Sequence, residues 1–410
     1  MLSIFKNKFQ NLLHYTFSSK SYYDCMDLSS KQTFYHKDLS INRSQFSKQL
    51  PELNPEKMRF GAFHTEHMLT IDFDQSTGWQ KPIIHPFEHI QMHPFCSSIH
   101  YAIQCFEGTK AFKGTDGKIR MFRSDANMFR LKNSMKSLSL PDFDGKEFLK
   151  CIKDLVKVDE RWVPNKRGFS LYIRPTGISM DEKLGVRAPD KAKLFCVFSP
   201  VGPYYPSGFK PIKLYCEPKR IRAAPGGTGN LKIGGNYGPT IPISQQAEEK
   251  GYQQVLWLWE DKQCFLENYF LFKKSLLEVG TSNIFFLWFN EQGEKELITP
   301  YLDEGTILPG VIRDTILKLT KSWGEFKVTE RNIKIYEITK AVKEDRIIES
   351  FGCGTAVIVC PIEQFYYNGD TYKIKINKEL GAGELAYRLN TTIQNIQYGD
   401  VEHEWAQIVE

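Results

Sequence analysis

The sequence lacks the features that mark membrane-spanning, disulfide-stabilised and nucleic-acid-binding proteins. Its longest apolar runs, such as NIFFLWF at 283–289, fall far short of the roughly 20 residues that a membrane-spanning helix needs. Nine widely spaced cysteines without a CxxC pair argue against a disulfide framework or a zinc site and favour a reducing interior. The 54 basic and 48 acidic residues form no Lys/Arg cluster, so nucleic acid is not an expected partner.

What is present is the composition of a folded, soluble protein with more than one domain. The chain has 410 residues, of which 41% are hydrophobic and 25% charged. Hydrophobic periodicity predicts strands from His67 and at 169–174, 194–198, 255–259, 283–289 and 356–361. It predicts helices from a Ser124 cap, at 147–156, after 309–310 and from Leu380. The fold class is α+β, with a small α/β domain at 59–204, an interdomain loop at 205–212 and a large domain at 213–410.

The N-terminal residues are typical of a targeting peptide. Residues 1–23 contain three lysines and no acid, and apolar residues recur at helical spacing. The absence of arginine leaves a disordered extension as the alternative. We predict a mitochondrial transit peptide at 1–23, with a cytoplasmic location as the alternative, followed by a polar linker at 24–58.

The least ordinary segment is GGTGNLKIGGNYG at 226–238, which holds six glycines in thirteen residues. Such a density indicates close backbone approach or unusual φ values. The segment is neither a Walker loop nor a GxGxxG motif, because Lys232 follows Leu231 and precedes Ile233. A lysine held on a glycine-rich turn suits a Schiff base with an aldehyde cofactor, whereas an ordinary solvated lysine is the alternative.

Several motifs in one order resemble the branched-chain amino acid aminotransferases of eukaryotic type, which are fold-type IV pyridoxal-phosphate enzymes. The resemblance covers about Phe60 to Val409. The motifs that carry it are HYAIQCFEGTKAF, GGTGNLKIGGNYG, QQVLWLWED, LEVGTSNIF, ILPGVIRD and FGCGTA. It implies a two-domain fold with pyridoxal 5'-phosphate between the domains. It also implies reversible transfer of the amino group of Leu, Ile or Val to 2-oxoglutarate, giving glutamate and branched 2-oxo acids.

The resemblance assigns roles around the cofactor. Lys232 matches the catalytic lysine that forms the Schiff base and carries the proton. Glu278 matches the carboxylate at the pyridine nitrogen, and Tyr237 the phenol at the ring oxygen. The remaining matches lie at the phosphate or the cofactor and are Arg130, Arg222, Thr281, Val311, Ile312 and Thr355. A helix that begins after Pro309-Gly310 also suits an anion on general grounds, since its free amides face the ligand.

Substrate selection in the family uses an aromatic box and the backbone near the carboxylate. The matching positions here are Phe63, Tyr101, Phe106, Tyr204, Thr281 and Ala356. Tyr172, Arg174, Leu184 and Val186 match positions contributed across a dimer interface. The resemblance therefore implies a homodimer, whereas the lack of a long apolar run and of a coherent ligand set argues against a membrane partner and a metal.

The chain departs from the family pattern at two places. Val357 stands where some animal members have the first cysteine of a CxxC, so a thiol switch of that type cannot form with Cys360. Between Asp261 and Glu278 the chain is about a dozen residues longer than usual, and the extra segment is rich in Phe. Loop-closure entropy rises slowly with length, so we expect Glu278 to keep its register.

Alternative functions follow from the same residues. Another member of the fold, a D-amino acid transaminase or an aminodeoxychorismate lyase, is the nearest enzymatic alternative. An inactive binding protein that uses the apolar insertion as a partner surface is the alternative from a different class. The six histidines from His64 to His100 suggest metal catalysis, but they lack the HExxH spacing and form no coherent ligand set.

Overall fold

The structure is a computed structural model that describes residues 21–24, 26–204, 208–217, 219–260, 274–302 and 304–410. The predicted transit peptide up to residue 20 and the Phe-rich tip of the insertion at 261–273 lie outside the described residues. Within the described ranges, no helix combines the length and apolar character needed to cross a bilayer.

Strands and helices alternate along the chain in the mixture expected of an α+β protein. The strands are β1 (Ser40–Ile41), β2 (His67–Asp74), β3 (Gly78–Trp79), β4 (Ile83–Pro86), β5 (Gln104–Phe106), β6 (Thr109–Lys113), β7 (Ile119–Phe122), β8 (Ser170–Ser179), β9 (Lys191–Val201), β10 (Ile212–Glu217), β11 (Gln254–Glu260), β12 (Lys274–Val279), β13 (Asn283–Phe289), β14 (Lys295–Thr299), β15 (Lys327–Glu330), β16 (Ile347–Gly354), β17 (Ile358–Tyr367), β18 (Asp370–Lys373) and β19 (Ala406–Ile408). The α-helices are α1 (Ser97–Tyr101), α2 (Ser124–Ser137), α3 (Gly145–Val158), α4 (Ile241–Glu249), α5 (Val311–Trp323), α6 (Ile335–Lys343) and α7 (Glu384–Tyr398). Short 3₁₀ turns lie at His36–Asp38, Glu160–Trp162, Gly234–Asn236 and Gly238–Thr240.

The strands form two sheets, the first built from the N-terminal half of the chain and the C-terminal strand β19, the second from the rest of the C-terminal half. The first has the order β1-β4-β2-β9-β8-β6-β7-β19, with β3 and β5 beside β2 and β8. The second has the order β12-β11-β10-β17-β16-β13-β14-β15, with β18 beside β17. Each sheet buries its own apolar core, and Phe112 and Phe122 of the first sheet join the core of the second half. Burial across this junction couples the two domains, whose facing edges enclose the site described below.

The N-termini of α2 and α3 differ in how they are capped. Asp144 caps α3 by accepting hydrogen bonds from the backbone N–H groups of Lys146 and Glu147. The predicted cap of α2, Ser124, is instead the first helical residue, and Arg123 precedes it with a left-handed φ of 47°. The Arg123 side chain is tied to Asp314 and Thr315 in the other half of the protein, so tertiary contacts override the local capping preference.

The predicted linker and domain boundaries are wrong at both ends of the chain. Leu28, Phe34 and Met58 are each less than 9% exposed, so much of 24–58 packs against the body. Tyr23, the last residue of the predicted transit peptide, is 3% exposed. At the other end, β19 pairs antiparallel with β7 of the first sheet, so the C-terminus returns to the small domain. A few large apolar anchors in polar sequence, and a pairing between distant segments, leave no local signal.

The strands that flank the insertion still pair with each other, with one irregularity between Leu256 and Leu258. Strands β11 and β12 form an antiparallel pair in which Glu260 faces Lys274 and Leu258 faces Leu276. Glu278 follows in the same strand and is 1% exposed. The hairpin therefore delivers Glu278 to the interior as expected, whatever the length of the chain between its strands.

Candidate active site

A cavity of about 350 Å³ lies between the two halves and collects most of the predicted site residues. This is within the usual size range of small-molecule sites. The predicted residues that line it are Phe106, Arg130, Tyr172, Arg174, Tyr204, Lys232, Tyr237, Glu278, Thr281, Val311, Thr355 and Ala356. Phe63, Tyr101, Leu184, Val186, Arg222 and Ile312 do not line it.

Lys232 is held from both sides of its backbone. Its N–H donates to Ser134 Oγ at 3.0 Å, and its carbonyl accepts from the Phe106 N–H at 3.0 Å. Its Nζ lies 3.4 Å from Tyr237 Oη and 5.1 Å from the centre of the Phe106 ring. The primary amine therefore projects into the cavity beside a phenol and an aromatic face.

Two of the six glycines around Lys232, Gly229 and Gly234, stand where a side chain would collide with its neighbours. A Cβ on Gly229 would lie 2.4 Å from Ala223 Cβ and 2.6 Å from the Thr306 carbonyl oxygen. A Cβ on Gly234 would lie 2.7 Å from Gln104 Nε2. The loop can hold the lysine in place only because no side chain occupies these positions.

Glu278 is a buried carboxylate with one saturated and one open oxygen. Oε1 accepts from the Leu308 N–H at 3.0 Å and from Asn283 Nδ2 at 3.3 Å. Oε2 lies 2.9 Å from Arg222 Nε, but without hydrogen-bond geometry to it or to any other described group. Burial raises the pKa of Glu278 above its ordinary value, against the opposing influence of Arg222.

The expectation that Arg222 lies at a phosphate is wrong. Its guanidinium donates to the carbonyls of Gly229 and Thr306, and its Nε faces Glu278. Arginine side chains are long, so the position of Arg222 in the sequence does not determine which groups its guanidinium contacts. Arg222 supports Glu278 and the glycine-rich loop instead.

Sequence reasoning missed Glu107, which is completely buried beside Arg130. The two side chains form a two-pronged ion pair, with Arg130 Nε 2.5 Å from Oε1 and Nη2 2.8 Å from Oε2. Asn127 Nδ2 and the Gly108 N–H add two bonds of 2.9 Å to Oε2. Burial opposes ionisation, but the pairing with Arg130 outweighs it and holds the pKa of Glu107 below its ordinary value.

The N-terminus of α5 forms one wall of the cavity. Gly310 precedes the helix and has no side chain to cap it, and the first amides of a helix have no intrahelical partner. Gly310 and Val311 line the cavity, as does Thr355 on the turn between β16 and β17. Ile312 is buried behind this wall. Unpaired amides, the helix dipole and a hydroxyl suit a bound anion such as a phosphate group.

The opposite end of the cavity is aromatic, but one predicted member is misplaced. Phe60, rather than Phe63, lines the cavity, and its ring lies 4.7 Å from that of Tyr172 and 6.0 Å from that of Tyr204. The two phenylalanines stand three residues apart in an irregular segment, where no periodicity indicates which one faces inward. Phe63 therefore lies outside the predicted box.

Tyr172 and Arg174 line the cavity of their own chain, which corrects the expectation that they act across an interface. Arg174 stacks on Phe106 at 4.6 Å, donates to Tyr172 Oη at 3.2 Å, and keeps a buried Nε without a hydrogen-bond partner. Both residues lie on β8, inside the first sheet, which fixes them toward the chain's own second half. Sequence pattern could not distinguish this arrangement from a crossing.

Tyr101 belongs with the loop at 184–186 rather than with the chain's own aromatic box. The Gly185 N–H donates to Tyr101 Oη at 3.2 Å. Leu184 and Val186 are 49% and 83% exposed, and Tyr101 is 39% exposed. These apolar side chains form an exposed cluster away from the cavity of the same chain.

Lys110 is a further charged residue that sequence reasoning missed. It lies on β6, is 7% exposed, and donates to the Ala356 carbonyl at 2.9 Å. Burial lowers the pKa of Lys110 to about 8. The contact joins the first sheet to the turn that carries Thr355, where Ile358 adopts a left-handed φ of 62°. A buried ammonium thus stabilises a strained turn at the cavity wall.

Two further sets of side chains have the chemistry to bind a metal or to react, namely a His–carboxylate cluster and the cysteines. Glu66, His67 and Asp159 come close enough to suggest a metal site. However, His67 Nδ1 faces Asp159 at 2.7 Å, its Nε2 accepts from the Ser44 N–H, and Glu66 pairs with Arg161. The cysteines that the structure describes are free and buried, and Cys360 lines the cavity next to Val357.

Comparison with known proteins identifies the family. The family described as Amino-transferase class IV matches residues 104–365, which is more than half of the chain. The chain belongs to this family. It is 46% identical over 375 residues to the cytosolic branched-chain-amino-acid aminotransferase of Ovis aries, covering 91% of this chain and 93% of that one. It is 44% identical over 377 residues to the mitochondrial enzyme of Bos taurus, covering 92% of each chain.

A solved structure confirms the predicted fold class. The branched-chain amino acid aminotransferase of Thermobaculum terrenum, in its PLP-bound form, superposes with a TM-score of 0.63 at 21% identity, covering 85% of this chain and 99% of that one. The cavity of the class IV chain fits such a cofactor. Glu278 Oε2 offers an open acceptor for a protonated ring nitrogen, and the start of α5 offers amides to a phosphate. Lys232 stands beside Tyr237 with its amine available to the aldehyde.

Proposed function

We propose that this class IV aminotransferase moves the amino group of branched-chain L-amino acids to 2-oxoglutarate by way of pyridoxal 5'-phosphate. The single observation that carries the proposal is one cavity that unites the Lys232 amine with the open oxygen of buried Glu278. A lysine to hold an aldehyde and a carboxylate to hold a ring nitrogen are the two protein groups that this cofactor requires.

When bound, the cofactor supplies an electron sink for the carbanion formed at the substrate Cα. Lys232 Nζ would accept the proton from the substrate Cα and donate it to the cofactor carbon that carries the amino nitrogen. Tyr237 Oη lies 3.4 Å from Lys232 Nζ and orients the amine. The same phenol would bind the ring oxygen of the cofactor. Glu278 keeps the ring nitrogen protonated, a role that its burial and open oxygen support.

The aromatic end of the cavity selects the substrate side chain. Phe60 packs edge-to-face against Tyr172 and Tyr204, which gives this wall of the cavity an apolar aromatic surface. Burying a Leu, Ile or Val side chain there is worth about 1.5–3 kcal/mol relative to leaving it exposed. The branched substrates are therefore favoured over alanine by roughly one to two orders of magnitude in kcat/KM.

Arg174 supports 2-oxoglutarate as the amino acceptor. Its buried Nε has no hydrogen-bond partner, and its guanidinium lies against Phe106 and Tyr172 at the aromatic end. A second carboxylate entering the apolar pocket would find this planar, two-pronged donor. One pocket can thus accept either a branched alkyl chain, packed on the rings, or a carboxylate, paired with Arg174.

The test of the central proposal is the visible absorbance of purified protein before and after addition of L-leucine. The wild-type band of lysine-bound cofactor should shift on addition of leucine and return with 2-oxoglutarate. Lys232→Ala should abolish the lysine-dependent band and turnover, whereas Lys219→Ala, an exposed lysine outside the cavity, should change neither. Cofactor uptake without turnover would favour a binding protein, and preference for D-alanine would favour another activity of the fold.

The acceptor is tested by Arg174→Lys, which keeps the charge but removes the planar fork. The KM for 2-oxoglutarate should rise about tenfold or more, while the KM for leucine changes little. An equal rise for both substrates would mean that Arg174 only supports the wall, and 2-oxoglutarate recognition would then lie elsewhere.

We further propose a homodimer in which Tyr101, Leu184 and Val186 enter the partner's cavity. Their support is a shared exposed apolar cluster outside their own cavity. Substituting Val186 with aspartate should lower both dimer affinity and kcat/KM.

We also propose that residues up to 20 direct the chain to mitochondria. Relatives with mitochondrial and cytosolic names both occur, so imaging of the tagged full chain decides the location.

A further inference from the structure

The residues that immediately follow the proposed targeting peptide are built into the wall of the cavity. Residues 21–24 lie across the start of α5 and the side of α2, and we call this segment the N-terminal strap. Tyr23 is 3% exposed and packs with Ala126 of α2 and Val311 of α5. The strap therefore contacts both domains at the end of the cavity where the anion-binding amides lie.

The Tyr23 hydroxyl reaches the peptide that precedes α5. It donates to the Pro309 carbonyl at 2.5 Å, and Arg130 Nη1 donates to the same oxygen at 2.9 Å. The C=O and N–H of a trans peptide point in opposite directions. Holding the Pro309 oxygen on the side of Tyr23 therefore holds the Gly310 N–H on the other side, where Gly310 and Val311 line the cavity.

The strap is fixed by several charged contacts as well. Ser21 Oγ donates to Asp314 in the first turn of α5, and Asp314 also pairs with Arg123 at 2.5 Å. The Arg123 guanidinium lies 5.7 Å from the centre of the Tyr23 ring. Burial raises the pKa of Tyr23 well above its ordinary value, so its hydroxyl stays a donor across the physiological range. These contacts hold the hydroxyl on the Pro309 carbonyl.

We propose that Tyr23 is a positioning residue for the cofactor's phosphate group, acting through the Pro309–Gly310 peptide and the Arg130 side chain. The proposal rests on the proposed function, since it assumes that the phosphate binds at the start of α5. It also sets a limit on processing: any cleavage that removes a targeting peptide must leave the strap on the mature protein.

The test compares two cofactors in the full-length chain. Tyr23→Phe removes only the hydroxyl, and Tyr22→Phe is the matched control, because Tyr22 is 38% exposed and its hydroxyl accepts from the Asn133 side chain at 3.1 Å, away from the cavity. The dissociation constants of pyridoxal 5'-phosphate and of pyridoxal, which lacks the phosphate, are measured by absorbance titration of the apoenzyme. Tyr23→Phe should weaken the phosphorylated cofactor about five- to tenfold and change pyridoxal less than twofold.

Each outcome has a distinct meaning. Equal weakening of both cofactors, or weakening of neither, overturns the positioning role. Failure of the wild-type chain to bind pyridoxal 5'-phosphate at all overturns the proposed function instead. A chain that begins at Ser21 should keep the wild-type ratio of the two dissociation constants, and one that begins at Met26 should change that ratio by about fivefold or more. Retention of full discrimination by the shorter chain contradicts the limit on processing.

Discussion

Two buried arginine–glutamate pairs each contribute one residue, Arg130 or Glu278, to the lining of the same cavity, and they differ in how many hydrogen bonds their carboxylates accept. Glu107 accepts two bonds from Arg130 and one each from Asn127 and the Gly108 backbone. Glu278 has two bonds on Oε1 and an open Oε2 that faces Arg222 without hydrogen-bond geometry. Their pKa values move in opposite directions from the ordinary value, downward for Glu107 and upward for Glu278.

The difference separates a structural pair from a reactive one. A buried carboxylate that is saturated with donors stays ionised and rigid, so Glu107 locks Arg130 into the wall at the cofactor's end. Glu278 is buried beside the Arg222 guanidinium, but its Oε2 accepts no hydrogen bond, so the cost of burying its charge is only partly compensated. Under the proposed function, a protonated ring nitrogen of the cofactor would bind this oxygen and offset part of the remaining cost.

The largest change in stability is expected for Glu107→Gln. The substitution leaves the Arg130 guanidinium buried without its carboxylate, which should lower the free energy of unfolding by about 3–5 kcal/mol. Because the folded pKa of Glu107 is lowered, its contribution is present above the unfolded pKa and is lost as the pH falls through the folded one. Urea unfolding at pH 7 and pH 4 should show the deficit shrinking in acid. A constant deficit would contradict this assignment.

Glu278→Gln should affect catalysis more than stability. Loss of the acceptor for the ring nitrogen removes one preorganised electrostatic partner, so kcat should fall by about two to three orders of magnitude. In the apoenzyme the raised pKa of Glu278 means that wild-type stability gains relative to the variant as the pH is lowered, the reverse of Glu107. Single-turnover kinetics and apoenzyme unfolding measure the two effects. A kcat within tenfold of wild type would refute the role.

Lys110 extends the comparison to a buried cation. Its ammonium donates to a backbone carbonyl rather than to a carboxylate. Burial lowers its pKa to about 8, so the unfolded chain binds more protons between pH 8 and the ordinary value of 10.5. Stability attributable to Lys110 should therefore rise over this window, by up to about 3 kcal/mol. Unfolding of wild type and Lys110→Met at pH 7 and pH 10 should show the wild type gaining. Parallel changes would contradict the assignment.

The smallest effects are expected from the neutral donors to the two carboxylates. Asn127→Ala removes one bond from Glu107 and should cost about 1–2 kcal/mol of stability with kcat nearly unchanged. Asn283→Ala removes a bond from Glu278 and should lower kcat severalfold for a similar loss of stability. Thermal unfolding and steady-state kinetics of the pair decide it. Equal kinetic effects would remove the distinction between a structural and a reactive pair.

Prediction from sequence succeeded for features that depend on residues close together in the chain. Gly229 and Gly234 stand where a Cβ would clash with neighbouring atoms, so part of the glycine density around Lys232 reflects a packing constraint that shows in the local sequence. Strand β12 still pairs with β11 beyond the insertion and carries Glu278 into the interior, as the slow rise of loop-closure entropy with length predicts. Three features depend on contacts between segments far apart in the chain, which hydrophobic periodicity does not report. They are the groups that Arg222 contacts, the position of Phe60 rather than Phe63 at the cavity, and the burial of Tyr23.

The sequence by itself determined the two α+β halves, the lysine on its glycine-rich loop, and the helix start that suits an anion, because each depends on residues close together in the chain. Only the tertiary structure decided which carboxylate is saturated and which is open. It also decided that Lys110 supports the turn at Ala356 and that the N-terminal strap belongs to the cavity wall. Burial and hydrogen-bond satisfaction depend on which side chains pack together. Those contacts form only when the two halves of the protein fold against each other.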